Sequence, residues 1–300
     1  MGRVIYSVKD IPEMLEIVSR ETKKITKTRG DGGRERIEYY NIPCAFDIET
    51  SSFYNDGKKT AVMYEWTFGI DDQIVIGRTW KECIECFRAV ARALGISRKK
   101  RLICGVHNLS FEFQFMRKWM KWLSVFALDD RKPVSALCEF GIEFRCTYIL
   151  SGFSLEGVGK RLNRYKVEKA VGDLDYTKIR SAETPMTEKE IGYCVDDVRV
   201  VMAYLREKIE DDGDITKIPL TKTGYVRKYC RDACTKNTED DKSRYQRYRN
   251  YMKALTLDVD EYDMLKRAFA GGFTHANAFF SGKTLEKVGS YDLTSAYPFA

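Results

Sequence analysis

The sequence predicts an α/β fold in which a mixed sheet is flanked by helices, and three observations carry that expectation. Residues 41–50, NIPCAFDIET, alternate Ile42, Cys44, Phe46 and Ile48 with Ala45, Asp47 and Glu49, the period of a strand with one face in a core. Two more alternating stretches follow within thirty residues, as in an antiparallel meander. Two helical stretches open with Thr-x-x-Glu capping boxes, at Thr79–Glu82 and Thr187–Glu190, and carry apolar stripes. With 300 residues, 44% of them hydrophobic, the chain has enough apolar surface for a sizeable core.

In chain order, residues 1–40 read as a polar N-terminal extension closed by Thr28-Arg-Gly-Asp-Gly-Gly-Arg34, a turn or loop. After the strand around Asp47, residues 50–60 read as a loop. Residues 61–70 then alternate Val62, Tyr64, Trp66 and Phe68, and Asp71-Asp72 turn the chain into Ile74-Val-Ile76. The first capping box starts a helix with Ile84, Phe87, Val90 and Leu94 on one face and Gly95 as its stop. Residues 101–106 form a buried strand, 111–122 a second helix, and 124–128, 135–140 and 142–149 further strands. The second capping box opens a long helix whose stripe, Ile191, Val195, Val198, Met202, Leu205 and Ile209, docks on the sheet. Tyr193 and Asp197 share its other side, one turn apart, with Val200 and Tyr204 nearby, so the acid faces a cleft. Residues 223–234, TGYVRKYCRDAC, read as a basic amphipathic helix, either in contact with phosphate and base or simply solvated.

Composition narrows the function classes. Fifty-one Lys and Arg against 44 acids give a net charge of +7, which permits a polyanionic partner without demanding one. Nine cysteines follow no disulfide framework. Cys83-x2-Cys86 and Cys230-x3-Cys234 find no second ligand pair at zinc-finger spacing, with only His107 and His275 as imidazoles. Reduced thiols, no signal-type apolar run and no segment of membrane-spanning length lead to the expectation of a soluble, cytoplasmic protein without membrane contact.

The chemistry lies in the acids. Period two puts Asp47 and Glu49 on one strand face, roughly 7 Å apart, and two carboxylates there are costly to bury unless a cation joins them. An edge strand with a solvated acidic face is the competing reading. Glu112 at a helix start and Asp197 on the later helix can reach the same sheet edge. Carboxylates are the hard ligands that Mg2+ and Mn2+ prefer. Two such ions about 3.5–4 Å apart activate a water and stabilise the leaving oxygen of a phosphodiester. Tyr193 is placed to orient that water. Taken singly, Tyr193 and Phe111 fit ordinary core aromatics, Asn108 a helix cap, and Tyr297-Pro298 a turn.

The order of these motifs resembles a known family. Asp47-Ile-Glu49-Thr50, His107-Asn-Leu-Ser-Phe-Glu112 and Tyr193-Cys-Val-Asp-Asp197 resemble the three motifs of the DnaQ-like 3′–5′ exonucleases. Ser154-Leu155, Gly172-Asp-Leu-Asp-Tyr-Thr-Lys178, Phe269-Ala-Gly-Gly-Phe-Thr274 and Asp292-Leu-Thr-Ser-Ala-Tyr-Pro298 narrow the resemblance to the protein-primed family B DNA polymerases of small phages and linear plasmids. The last of these is similar to palm motif A. The resemblance implies an RNase H-like exonuclease domain over residues 41–212, a basic helical connection over 213–258 and the first palm elements over 259–300. The function it implies is DNA replication with proofreading by two-metal phosphodiester hydrolysis.

It also implies site roles. Asp47, Glu49, Glu112 and Asp197 hold Mg2+ or Mn2+, and Tyr193 positions the water. Thr50, Asn108, Phe111, Ser154 and Leu155 grip the single-stranded 3′ end of a primer-template. Gly271 and Gly272 let backbone approach the template. Asp292 is one of two polymerase metal ligands, Leu293 and Ser295 meet an incoming dNTP, and Tyr297 stacks on its sugar. Glu112 stands where the family has Asp, Val171 where it has Lys, and Phe269 where it has Tyr. The second polymerase aspartate is not in the sequence, so polymerisation is expected to need a C-terminal polypeptide and a terminal-protein primer. Two alternatives remain beside this reading: a stand-alone metal-dependent 3′–5′ exonuclease, and a non-catalytic single-stranded-DNA-binding subunit.

Overall fold

The structure is a computed structural model that describes residues 4–5, 7–28, 32–167, 178–235, 241–268, 282–284 and 286. The chain divides into two compact units, Met1–Cys230 and Arg231–Ala300.

In the first unit, β1 (Val4–Ile5) precedes the short helix α1 (Ile11–Met14) and a hairpin of β2 (Thr22–Thr28) and β3 (Arg34–Tyr40). Then come β4 (Cys44–Asn55), β5 (Lys58–Ile70), β6 (Gln73–Gly77), α2 (Trp80–Leu94), β7 (Lys100–Val106) and α3 (Leu109–Met116). Strands β8 (Trp122–Ala127), β9 (Pro133–Cys138) and β10 (Ile142–Cys146) lead into α4 (Thr147–Ser151) and α5 (Leu155–Gly159). The long α6 (Glu188–Asp212) follows, and α7 (Lys222–Thr235) runs out of this unit. The second unit contains α8 (Asp241–Ala254) and α9 (Val259–Ala268). The expected palm elements at Gly271, Gly272, Asp292, Leu293, Ser295 and Tyr297 lie outside the described residues.

The sheet runs β1-β6-β5-β4-β7-β10-β9-β8, with β3 also pairing β7 and carrying β2. β4, β5 and β6 form the expected antiparallel meander, whereas β7 lies parallel to β4 and β10 parallel to β7. This is the mixed sheet flanked by helices anticipated from the sequence. Both capping boxes form, and Gly95 closes α2 in the left-handed conformation with φ 62°.

Four local expectations are corrected. Residues 50–60 are no loop: β4 and β5 continue to a two-residue turn at Asp56-Gly57, with φ of 49° and 74°, the dipeptide that suits the twist of a tight hairpin. The second helix ends at Met116, because the chain turns there and Trp122 enters β8. The third late strand stops at Cys146 and becomes α4. The described residues before Asn41 carry strands and helices: β1 pairs with β6, and β3 extends the sheet at β7.

One face of the sheet packs on α2 through Phe46, Phe68, Phe87 and Phe144, whose rings meet at 5.5–6.1 Å, mostly edge to face. The other face takes α6, through Val195, Val198, Val201, Met202 and Leu205 on Ala45, Ile74 and Ile76. The helix lies close because two sheet positions lack a side chain. A Cβ on Gly69 would come within 2.6 Å of Val198, and one on Gly105 within 2.8 Å of Leu205. The opposite side of α6 is covered as well, with Val200 and Ala203 packed on Val158 and Leu162. Among the described residues no helix is long and apolar enough to cross a membrane.

Candidate metal centre

β4 lies inside the sheet between β5 and β7, and its alternation sends Phe46 and Ile48 into the α2 core and Ala45, Asp47 and Glu49 toward α6. A register shift between Glu49 and Thr50 interrupts the ladder with β5 just beyond the acids. Such irregularities re-aim side chains next to functional sites. α6 crosses the first half of β4 and brings Asp197 to these acids. One carboxylate oxygen from each of Asp47, Glu49 and Asp197 lies within 4.8 Å of the others. Glu49 and Asp197 are buried, at 8% and 6% exposure.

Three anionic groups this close, two of them removed from water, repel strongly unless a cation sits among them. The donor set is all hard oxygen, the type that holds Mg2+ or Mn2+. Glu112, in the first turn of α3, is buried close enough to Asp47 and Glu49 to feel their charge. It is outside the trio, but burial and the charges of Asp47 and Glu49 push its carboxyl well above the usual range. Its Oε2 is buried and takes no hydrogen bond among the described residues. A buried, unsatisfied carboxylate oxygen coupled to an acid cluster fits a centre built to hold a divalent cation.

The other expected residues surround this cluster. Thr50 follows Glu49 on β4. Asn108 precedes α3 in a left-handed conformation, φ 81°, and its side chain does not cap the helix, contrary to the simple cap reading. Phe111 stands on the outer side of α3, 40% exposed, tilted against Phe115 at 5.1 Å. Ser154 caps α5 through its Oγ, which accepts from the Gly157 N–H at 3.2 Å, and Leu155 packs between α5 and α6. Tyr193 is buried one turn before Asp197, beside Cys194 and Met186. His107 does not join the acids; its Nδ1 lies 3.1 Å from the Thr147 hydroxyl.

Residues 156–300 match the family described as DNA polymerase type B, organellar and viral. The chain resembles the type B DNA polymerases of organelles and viruses. The matched stretch contains Tyr193, Asp197 and Asp292 and stops short of Asp47, Glu49 and Glu112. Among solved structures, the fold is similar to Phi29 DNA polymerase complexed with primer-template DNA, at 17% identity and TM-score 0.58, over 81% of this chain and 42% of that one. Phi29 DNA polymerase complexed with single-stranded DNA matches at 16% identity and TM-score 0.56, over 80% of this chain and 41% of that one. The chain thus spans about two fifths of the length of the Phi29 polymerase it matches. No curated protein sequence matches the chain.

Several residues around this acid cluster were not legible as members of it. Glu65 is the β5 partner of Glu49 and is almost wholly buried, at 1% exposure. Burial, helped by the charge of Asp47, raises its carboxyl to about 8, against the hydrogen bond from the Thr67 hydroxyl at 2.5 Å. Burial pushes the Cys194 thiol up further, with Glu65, Glu49, Asp47 and Asp197 all adding to the effect. Among the described residues, Arg180 is a buried cation nearby. Its Nη2 donates to Glu190 at 2.6 Å and its backbone N–H to Ser51 Oγ at 2.9 Å, tying the start of α6 to β4. Alternation along β5 places Glu65 on the face opposite Trp66 and Phe68, but only the pairing register shows that this is the face of Asp47.

Proposed function

We propose that this chain carries the 3′–5′ proofreading exonuclease of a protein-primed, viral type B DNA polymerase, acting in the cytoplasm on the single-stranded 3′ end of a primer. The observation that carries the reading is the convergence of Asp47, Glu49 and Asp197 within 4.8 Å, with Glu112 buried beside them. Asp47, Glu49, Asp197 and Glu112 would hold two divalent cations, Mg2+ or Mn2+, which would supply a nucleophilic water at neutral pH and stabilise the leaving oxygen. The protein's own groups do the rest. Tyr193 presents its hydroxyl to the water; Asn108 and Phe111 receive the terminal sugar and base, Phe111 by stacking. Ser154 and Leu155 line the path of the strand, and Thr50 fixes the terminal nucleotide beside Glu49. The similarity in fold to Phi29 DNA polymerase supports primer-template DNA and dNTPs as substrates of the whole enzyme. For that activity Asp292, Leu293, Ser295 and Tyr297 contribute one part of the polymerase centre, Gly271 and Gly272 lie along the template, and a C-terminal polymerase segment with a terminal-protein primer completes it.

A 5′-labelled single-stranded oligonucleotide tests the reading. With Mg2+ or Mn2+ the chain is expected to shorten it one nucleotide at a time from the 3′ end, and Asp47→Ala to abolish the ladder. An intact oligonucleotide in both metals, with binding retained, contradicts the nuclease assignment.

A further inference from the structure

The face of the sheet that holds the acids has a second, oppositely charged site. Gly105 on β7 is level with Ala45 on β4, and the two strands are parallel. Arg101 lies four residues back from Gly105, and Asp47 two residues on from Ala45. With period two both point to the α6 side, about 20 Å apart along the strand direction. Around Arg101 is a cavity of about 290 Å3, floored by β3, β7, β9 and β10 and walled by β2 and residues 216–220.

Its polar groups are organised around one carboxylate. Glu143 accepts from Arg101 Nη1 at 3.0 Å, from Arg145 Nη2 and Nε at 2.7 and 2.9 Å, and from the Tyr39 hydroxyl at 2.9 Å. Lys27 donates to that same hydroxyl at 2.9 Å from the rim. The cationic groups of Lys27, Arg101 and Arg145 all lie 5.4–5.9 Å from the centre of the Tyr39 ring. Three cations thus share one acid, an excess of two positive charges in a partly enclosed space. The field is strong: although burial opposes it, the charges of Arg145 and Lys27 hold the Glu143 carboxyl down at about 2.

The donors are not used up. Among the described residues Arg145 Nη1 and Arg101 Nη2 make no hydrogen bond to protein, and the side chains of Ser124 and Ser135 line the same space. Planar guanidiniums with spare N–H groups match the oxygens of a phosphate, and hydroxyls complete such a shell. Nor does the positive surface end at the cavity. Across the β2–β3 hairpin, Lys24, Arg34, Arg36, Lys99 and Lys100 line a second hollow of about 440 Å3 against Glu35 and Glu38.

We propose that this cavity seats a phosphate group, gripped by Arg145, Arg101 and Lys27, as a nucleic-acid docking point separate from the metal centre. The phosphate arrives either within a strand or as a free ion, and the chemistry of capture is the same. The excess charge and the basic hollow beyond the hairpin favour a strand, which would use both.

The test uses the full chain in EDTA, so that no divalent metal bridges DNA to the acids and the nuclease reading is not at stake. Binding of a labelled single strand is followed by anisotropy across a salt series. Lys27→Gln, at an exposed rim position, is expected to weaken binding a few-fold and to reduce the slope of log affinity against log salt by about 0.7. Arg145→Gln is expected to do at least as much, and Lys81→Gln, on α2 across the sheet, to change nothing. If strand affinity is unmoved, but inorganic phosphate raises the melting temperature of the wild type and not of Lys27→Gln or Arg145→Gln, the site captures free phosphate. The proposal is overturned if both probes treat the wild type and the two cavity variants alike, or if Lys81→Gln weakens the strand as much as Lys27→Gln.

Discussion

Two ends of one sheet face solve the problem of buried charge in opposite ways. In the first half of β4, Asp47 and Glu49 meet Asp197, and Asp47 also acts on the buried carboxyls of Glu65 and Glu112. At the start of β7, three cations close around the single carboxylate of Glu143. The backbone is the same pleated surface in both places. What differs is the sign of the charge that gathers. A protein that accepts the cost of both clusters has a use for a cation at one end and for an anion at the other.

The largest expected effect lies at the acidic end. Asp47→Ala should reduce the rate of 3′ shortening by ~10³-fold or more, the loss of several kcal/mol of charge stabilisation. Strand binding in EDTA should persist, because the basic end is intact. If binding were lost together with cleavage, the two ends would not be separate sites.

At the basic end, Glu143→Ala removes the shared acid and leaves two guanidiniums buried without it. Denaturant unfolding should show a loss of about 3–5 kcal/mol. An unchanged midpoint would mean that solvent already neutralises Arg101 and Arg145. Phe111→Ala returns to the acidic end with a smaller effect. It should weaken binding of a single-stranded 3′ end by about 1–3 kcal/mol, the worth of one stacked base, while circular dichroism stays unchanged. An unaltered affinity would remove Phe111 from the strand path.

The two ends also differ in their response to pH. Glu65 has its carboxyl raised from 4.5 to about 8, chiefly by burial, so its contribution to stability is full below 4.5 and is lost as pH rises through 8. Glu143 is held near 2, so its contribution is full above 4.5 and is lost as pH falls toward 2. Without divalent metal the melting temperature should therefore fall in both directions. Glu65→Gln should recover about 5 °C of the alkaline decline while leaving the acid limb as it was. Equal alkaline decline in the wild type and Glu65→Gln would refute the assignment of that limb.

The acidic end was largely legible in the sequence and the basic end was not. Asp47 and Glu49 declare their shared face by alternation within one strand, and the Thr187 capping box with its stripe fixes which side of α6 carries Asp197. These are local patterns. The hairpin that supplies Lys27 and Tyr39 has little such signal. Its first strand, TKKITKT, has Ile25 as its single apolar side chain, and such lysine-rich alternation suits an edge as well as it suits a solvated segment. The cavity needs β2, β3, β7, β9 and β10 side by side, contacts more than a hundred residues apart, and no motif spells out that register. Glu65 was missed for the same reason: its partner across the ladder is Glu49, which only the pairing reveals. The tight turn at Asp56-Gly57 was readable, since Asp-Gly between alternating stretches is a strong hairpin sign; the polar run from Thr50 to Thr60 obscured it.

Anomalous diffraction from crystals of the full chain grown with Mn2+ tests the central claim most directly. The account predicts manganese in contact with Asp47, Glu49 and Asp197, and its disappearance in Asp197→Ala crystals. Manganese-free density among those three acids, in a chain that nonetheless shortens DNA, would contradict it.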